Sequence, residues 1–182
     1  MQFVPYLNFD GNCAEAFAFY AKVFGGTVVH QSTFAEMPPQ PGMPALPDAA
    51  KQRVMHVHLQ IGNQALMASD TMPGADATCG GYAKPQGLYV SIGVGSVAEG
   101  RRVFDALAEG GQVTMPFDAT FWSPGFGMVT DRFATPWMVN VSTPRYAPLD
   151  VFSVIISALA FGGVVYGLSA FGNRDGFDPV QA

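Results

Sequence analysis

Two histidines spaced one residue apart, His56 and His58 in MHVHLQI, are the side chains of this chain best suited to chemistry. An imidazole exchanges a proton near neutral pH and ligates transition metals. On an extended strand, residues i and i+2 share a face, so both rings would project from one side. A metal site would need at least one further ligand and partners that orient the rings. No HExxH, CxxC or clear third ligand accompanies the pair, so the residues themselves assign no metal. His56 is left as a candidate general base and His58 as a candidate ligand contact. Other signatures are missing. There is no G-x-S-x-G elbow and no P-loop, and Gly93-Val94-Gly95 lacks the third glycine of a dinucleotide fingerprint. The two cysteines, Cys13 and Cys79, have no evident activating partner and read as free thiols of a reducing compartment, a cytoplasmic setting.

Composition removes further classes. The chain has 182 residues with a net charge of -5, and its nine Lys and Arg are scattered. No basic stripe is available for phosphates, which argues against nucleic acid. The apolar share is 49% against 13% charged, an imbalance concentrated in the C-terminal tail.

The elements that must position the histidines come in two copies. Tyr6, Glu15, Tyr20, Val23, Gly25, Gly26 and Val28 line up with Tyr89, Glu99, Phe104, Leu107, Gly110, Gly111 and Val113, at an offset drifting from 83 to 85. Each copy passes from a strand pattern through a helical pattern to Gly-Gly-x-Val and a new strand. The first has a strand at 2–10, a helix at 13–24 with Asn12 as its expected N-cap, and a strand at 27–34. A hairpin of 53–61 and 64–70 follows, turned at Gly62-Asn63. The second has a strand at 88–94 and a helix at 97–109 capped by Ser96. Its remaining strands fall near 112–117, 127–131 and 137–142. This is βαβββ twice, an α+β plan with the helices on one side of a curved, cupped mixed sheet. The modules span about 2–70 and 87–143, joined by a Gly/Pro/Ala-rich linker at 71–86. Between Glu36 and Lys51 five prolines mark a loop that is either a functional flap or a disordered insert.

Alternation sorts the strand residues into faces. Tyr6, Asn8, His56, His58, Tyr89, Ser91 and Asn140 fall opposite the apolar sides of four strands. Facing one concavity, they would make a polar and aromatic cup for a small molecule. Facing outward, they would meet solvent or a dimer partner, and alternation does not separate the cases. Trp122, in FWSP, is either a packing or dimer residue or a ligand contact.

Beyond a short linker at 144–150 the character changes. Residues 151–172, VFSVIISALAFGGVVYGLSAFG, run 22 residues without a charge, ahead of a polar tail at 173–182. That length suits a membrane-spanning helix, with Gly163 and Gly167 as a possible helix-contact pair. A helix buried or covered by a partner is the alternative.

The segments YLNFDGNCAEAFAFYAKVFGG (6–26), MHVHLQIGNQALMASD (55–70) and TMPFDATFWSPGFGMVTDRFATPWMVNV (114–141) resemble the vicinal oxygen chelate superfamily, and within it the PhnB-like branch. The resemblance covers about residues 2–143. It implies paired βαβββ modules forming a cup, usually in a homodimer. Superfamily enzymes hold a divalent metal there, and carrying the ligand positions over places them at or near Tyr6, Met67, Tyr89 and Met138. None of these is a hard ligand, so no metal and no cofactor is expected. Met67 and Met138 become candidate ligand contacts instead. The tail at 148–172 resembles one membrane helix of a major facilitator multidrug transporter, too little for a transport path. Three readings follow: a metal-free small-molecule binder like the bleomycin-resistance relatives; a lyase, isomerase or transferase using His56 as general base; or a structural homodimer.

Overall fold

A computed structural model describes residues 1, 3–38, 46–73 and 81–142. The expected tail helix at 151–172 lies outside the described residues, and among those described no helix is long and apolar enough to cross a membrane. The first module runs β1 (Tyr6–Phe9), α1 (Cys13–Phe24), β2 (Thr27–Thr33), α2 (Asp48–Lys51), β3 (Val54–Ile61) and β4 (Gln64–Asp70). The second runs β5 (Val90–Val94), α3 (Val97–Ala108), β6 (Gln112–Asp118), β7 (Phe126–Thr130) and β8 (Pro136–Val141). The βαβββ repeat stands; a 3-10 turn at Phe34–Glu36 follows β2 where the loop was expected to begin, and the short α2 lies within the stretch read as one loop.

The expectation of one cupped sheet is corrected. The strands form two separate four-stranded sheets, ordered β1-β4-β3-β2 and β5-β8-β7-β6, each mixed because its first strand joins its last in parallel. What unites the modules is the helical layer. Val57, Leu59, Leu66 and Ala68 of the first sheet share one buried cluster with Val129, Trp137, Val139 and Val141 of the second, filled between by Phe17, Tyr20, Val103, Phe104 and Leu107 of α1 and α3. Tyr20 is the pivot. Its ring meets Trp137 edge-on at 5.2 Å, and its hydroxyl donates to Asp131 Oδ2 at 2.6 Å. Asp131 also accepts from Trp137 Nε1 at 2.8 Å and from the Phe133 and Thr135 amides at 2.9 Å, so the buried carboxylate is fully served. Across the same junction Arg102 donates to the Val23 carbonyl.

The doubled glycines explain why the repeat kept its spacing. Gly25 ends α1 in the left-handed region (φ 66°), and Gly110 takes the same conformation after α3 (φ 71°). The next residue must let the chain pass close to a neighbouring strand. A Cβ on Gly26 would sit 2.7 Å from the Gln60 carbonyl, and one on Gly111 would press on the Thr130 carbonyl and lie 2.9 Å from Asp131 Cα.

The helix starts differ from each other. Ser96 caps α3 as expected, its Oγ accepting from the Glu99 amide at 3.2 Å. Asn12 makes no side-chain cap. Buried Asp70 at the end of β4 does that work, accepting from the Gly11 and Cys13 amides with Oδ1 and from the Val54 amide with Oδ2. One carboxylate thus ties α1, β3 and β4 together.

Candidate functional site

Register fixes what alternation left open. On the first sheet Tyr6, Met67, His58 and His30 lie in one row across β1, β4, β3 and β2, and Asn8 pairs with Ser69 as His56 pairs with Ser32. Five of the nominated residues, Tyr6, Asn8, His56, His58 and Met67, therefore share the face opposite the buried core. The Tyr6 hydroxyl lies 3.2 Å from His56 Nδ1, with the two rings stacked at 5.8 Å. The His30 ring follows at 5.9 Å from His56, completing a strip of three flat rings. Ser69 Oγ donates to Asn8 Oδ1. Two polar atoms on this face are buried without a partner, His58 Nε2 and Ser32 Oγ.

The second sheet carries a different wall. Ser91, Met138, Met128 and Met115 form one row across β5, β8, β7 and β6, with Gly93, Asn140, Phe126 and Asp118 in the next. Asn140 donates from Nδ2 to Ser142 Oγ at 3.1 Å, and its Oδ1 is buried and unpartnered. Half-exposed Trp122 packs edge-on against Phe126 at 5.6 Å and against the outward Phe121 at 4.5 Å. Tyr89 is misplaced by the sequence repeat: it precedes β5, and the strand neighbour of Met138 is Ser91, so Ser91 is the counterpart of Tyr6.

The structure brings the nominees together as two sets. Both faces turn away from the core that the helices share, and among the described residues no hydrogen bond or ring contact links one set to the other. The space between the modules is instead an apolar groove of about 440 Å³. Phe24, Ile61, Leu66, Ile92 and Trp137 line it, Arg102 and Glu99 lie at its side, and Ser91 alone of the nominated residues reaches it.

Sequence reasoning missed His30, Ser32, Ser69, Met115, Met128 and Phe126. His30 escaped because a break in register between Val28 and His30 shifts the alternation of β2. The three methionines fall on one row only once β6, β7 and β8 are in register.

A divalent metal does not fit the positions the fold reserves for one. Tyr6, Met67, Ser91 and Met138 offer a phenol, a hydroxyl and two thioethers, a poor set for a hard or borderline ion. Among the described residues no three His, Cys, Asp or Glu side chains gather as a metal site. Cys13 is no nucleophile either: it is fully buried, and desolvation, with Asp70 beside it, pushes its thiol far above the usual range. Cys79 lies outside the described residues.

Paired βαβββ modules of this topology, each with an open polar face, define a class, and the sequence agrees: residues 2–139 match the glyoxalase/bleomycin resistance protein/dioxygenase superfamily, to which the chain belongs. It is similar to protein YjdN of Escherichia coli K12, 36% identical over 149 residues, covering 78% of this chain and 95% of that one. Protein PA1353 from Pseudomonas aeruginosa has a similar structure, with 45% identity and a TM-score of 0.69 over 79% of this chain and 98% of that one. A PhnB protein from Bacillus cereus, at 22% identity and a TM-score of 0.61 over 78% of this chain and all (100%) of the other, shares the fold.

Proposed function

We propose that the chain is a PhnB-like, metal-free binding protein that holds a small organic molecule in a cup built from two copies of itself. The outer face of the first sheet in one protomer supplies one wall, and the outer face of the second sheet in its partner supplies the other. The observation that carries this reading is the placement of unpartnered polar atoms. His58 Nε2, Ser32 Oγ and Asn140 Oδ1 are buried without a hydrogen bond on the faces that turn away from the shared core. Such atoms are costly unless something binds them. Exposed Tyr6, Tyr89 and Trp122 on or beside the same faces are apolar surface suited to cover by a partner and a ligand. The folded domain is read as cytoplasmic. Sedimentation velocity of the full-length chain tests the two-copy cup: a dimer at micromolar concentration is expected, and a monomer would remove the second wall.

The contact between Tyr6 and His56 favours one alternative, an enzyme with His56 as general base and Tyr6 orienting its ring. Under the binding reading His56→Ala weakens ligand retention. Under the enzymatic reading it abolishes turnover of that ligand while retention persists.

A further inference from the structure

We infer that the molecule held in this cup is a flat aromatic compound without net negative charge, carrying a hydrogen-bond donor at its ring edge. The inference rests on the two-wall reading above and names its ligand class.

Charge comes first. The four rows of the walls contain no Lys or Arg, and their one carboxylate, Asp118, is exposed on the outer strand, where it already accepts from the Ala119 amide. Only the imidazoles of His30, His56 and His58 could become cationic there, so a carboxylate or phosphate on the ligand would be desolvated without a permanent positive charge to meet it. Shape comes second. The Tyr6–His56 pair, inclined by only 21°, and His30 beyond it present a strip of ring faces. The opposing wall presents Met115, Met128 and Met138 with Phe126 and Trp122 beside them. Thioethers and aromatic edges both contact a planar ring favourably. Polarity comes third. Asn140 Oδ1 can only accept, and Nδ2 gives one of its two N–H groups to Ser142 Oγ, so the partner that Oδ1 lacks must be an N–H or O–H.

The test compares three probes of one shape by calorimetry on the full-length protein: 1-naphthamide, 1-naphthoate and 1-methylnaphthalene. The expected result is 1-naphthamide binding at least tenfold more tightly than either of the others. Asn140→Leu should weaken 1-naphthamide about tenfold and leave 1-methylnaphthalene unchanged. Trp122→Ala, at a half-exposed position outside the buried core, should weaken all three while circular dichroism shows the chain folded. Equal or tighter binding of 1-naphthoate would overturn the inference. So would an Asn140→Leu affinity for 1-naphthamide equal to that of the parent. Failure of a dimeric chain to bind any probe at millimolar concentration overturns the ligand class and spares the dimer. The same probe preference in a chain that sediments as a monomer overturns the two-copy cup and upholds the ligand class.

Discussion

Replacing Tyr20 by Phe removes one oxygen from the junction of the two modules, and the structure sets the cost. The hydroxyl donates to Asp131 Oδ2 at 2.6 Å and lies 3.0 Å from Thr135 Oγ1. A hydrogen bond to a charged group contributes about 1.5–3 kcal/mol. The ring stays, so no cavity opens, and Oδ2 keeps the Trp137 indole, so the carboxylate is not orphaned. The expected loss is about 2 kcal/mol, or about 4–8 °C in Tm for a domain of this size. Urea unfolding followed by circular dichroism measures it. In an Asp131→Asn background, where the bond is neutral, the same change should cost less than about 1 kcal/mol. A loss below about 0.5 kcal/mol in the parent, or separate unfolding transitions for the two modules, would refute a core held together through Tyr20 and Asp131.

Other changes have directions fixed by the same contacts. Gly111→Ala drives a methyl onto the Thr130 carbonyl and the Asp131 backbone, neither of which can swing aside, and should cost at least about 2 kcal/mol in a denaturation midpoint. Asp70→Asn keeps the size of the side chain but turns an amide nitrogen toward either the Val54 amide or the amides of Gly11 and Cys13, a clash of donors costing about 2–4 kcal/mol. Alkaline pH should destabilise the fold. Burial, with Asp131 beside it, pushes the Tyr20 phenol far up, as burial and Asp70 do for the Cys13 thiol. The folded chain then keeps protons that the unfolded chain releases above about pH 8.5 for the thiol and about pH 10 for the phenol. Stability is fully present below those values and falls as pH rises. The slope is about 1.4 kcal/mol per pH unit from the thiol between pH 9 and 10, and roughly twice that above. Urea midpoints for Cys13→Ala should show the first part of that slope gone.

The repeat was legible because its physics is local. Left-handed Gly25 and Gly110, the close passes at Gly26 and Gly111 and the Ser96 cap each leave a mark within a few residues. The turn at Gly62-Asn63 did so too, since Ile61 pairs with Gln64 across it. What escaped was set by register and by partners distant in sequence. Nothing around Asn12 shows that Asp70, 57 residues beyond Cys13 on the strand paired with β1, serves the start of α1. The offset of 83 made Tyr89 look like the match of Tyr6, whereas pairing along β8 selects Ser91. Alternation placed Asn140 and His58 away from the core correctly, yet it could not tell a single cup from two faces turned outward. That depends on the helices meeting between the sheets, through contacts such as Arg102 to the Val23 carbonyl.

The central claim is a cup made by two copies and filled by a small organic molecule, and native mass spectrometry combined with metal analysis on the full-length chain from a cell extract tests it most directly. The account predicts the mass of a dimer carrying a retained organic compound and no stoichiometric metal. A monomer, or a dimer holding one divalent ion per cup, would contradict it.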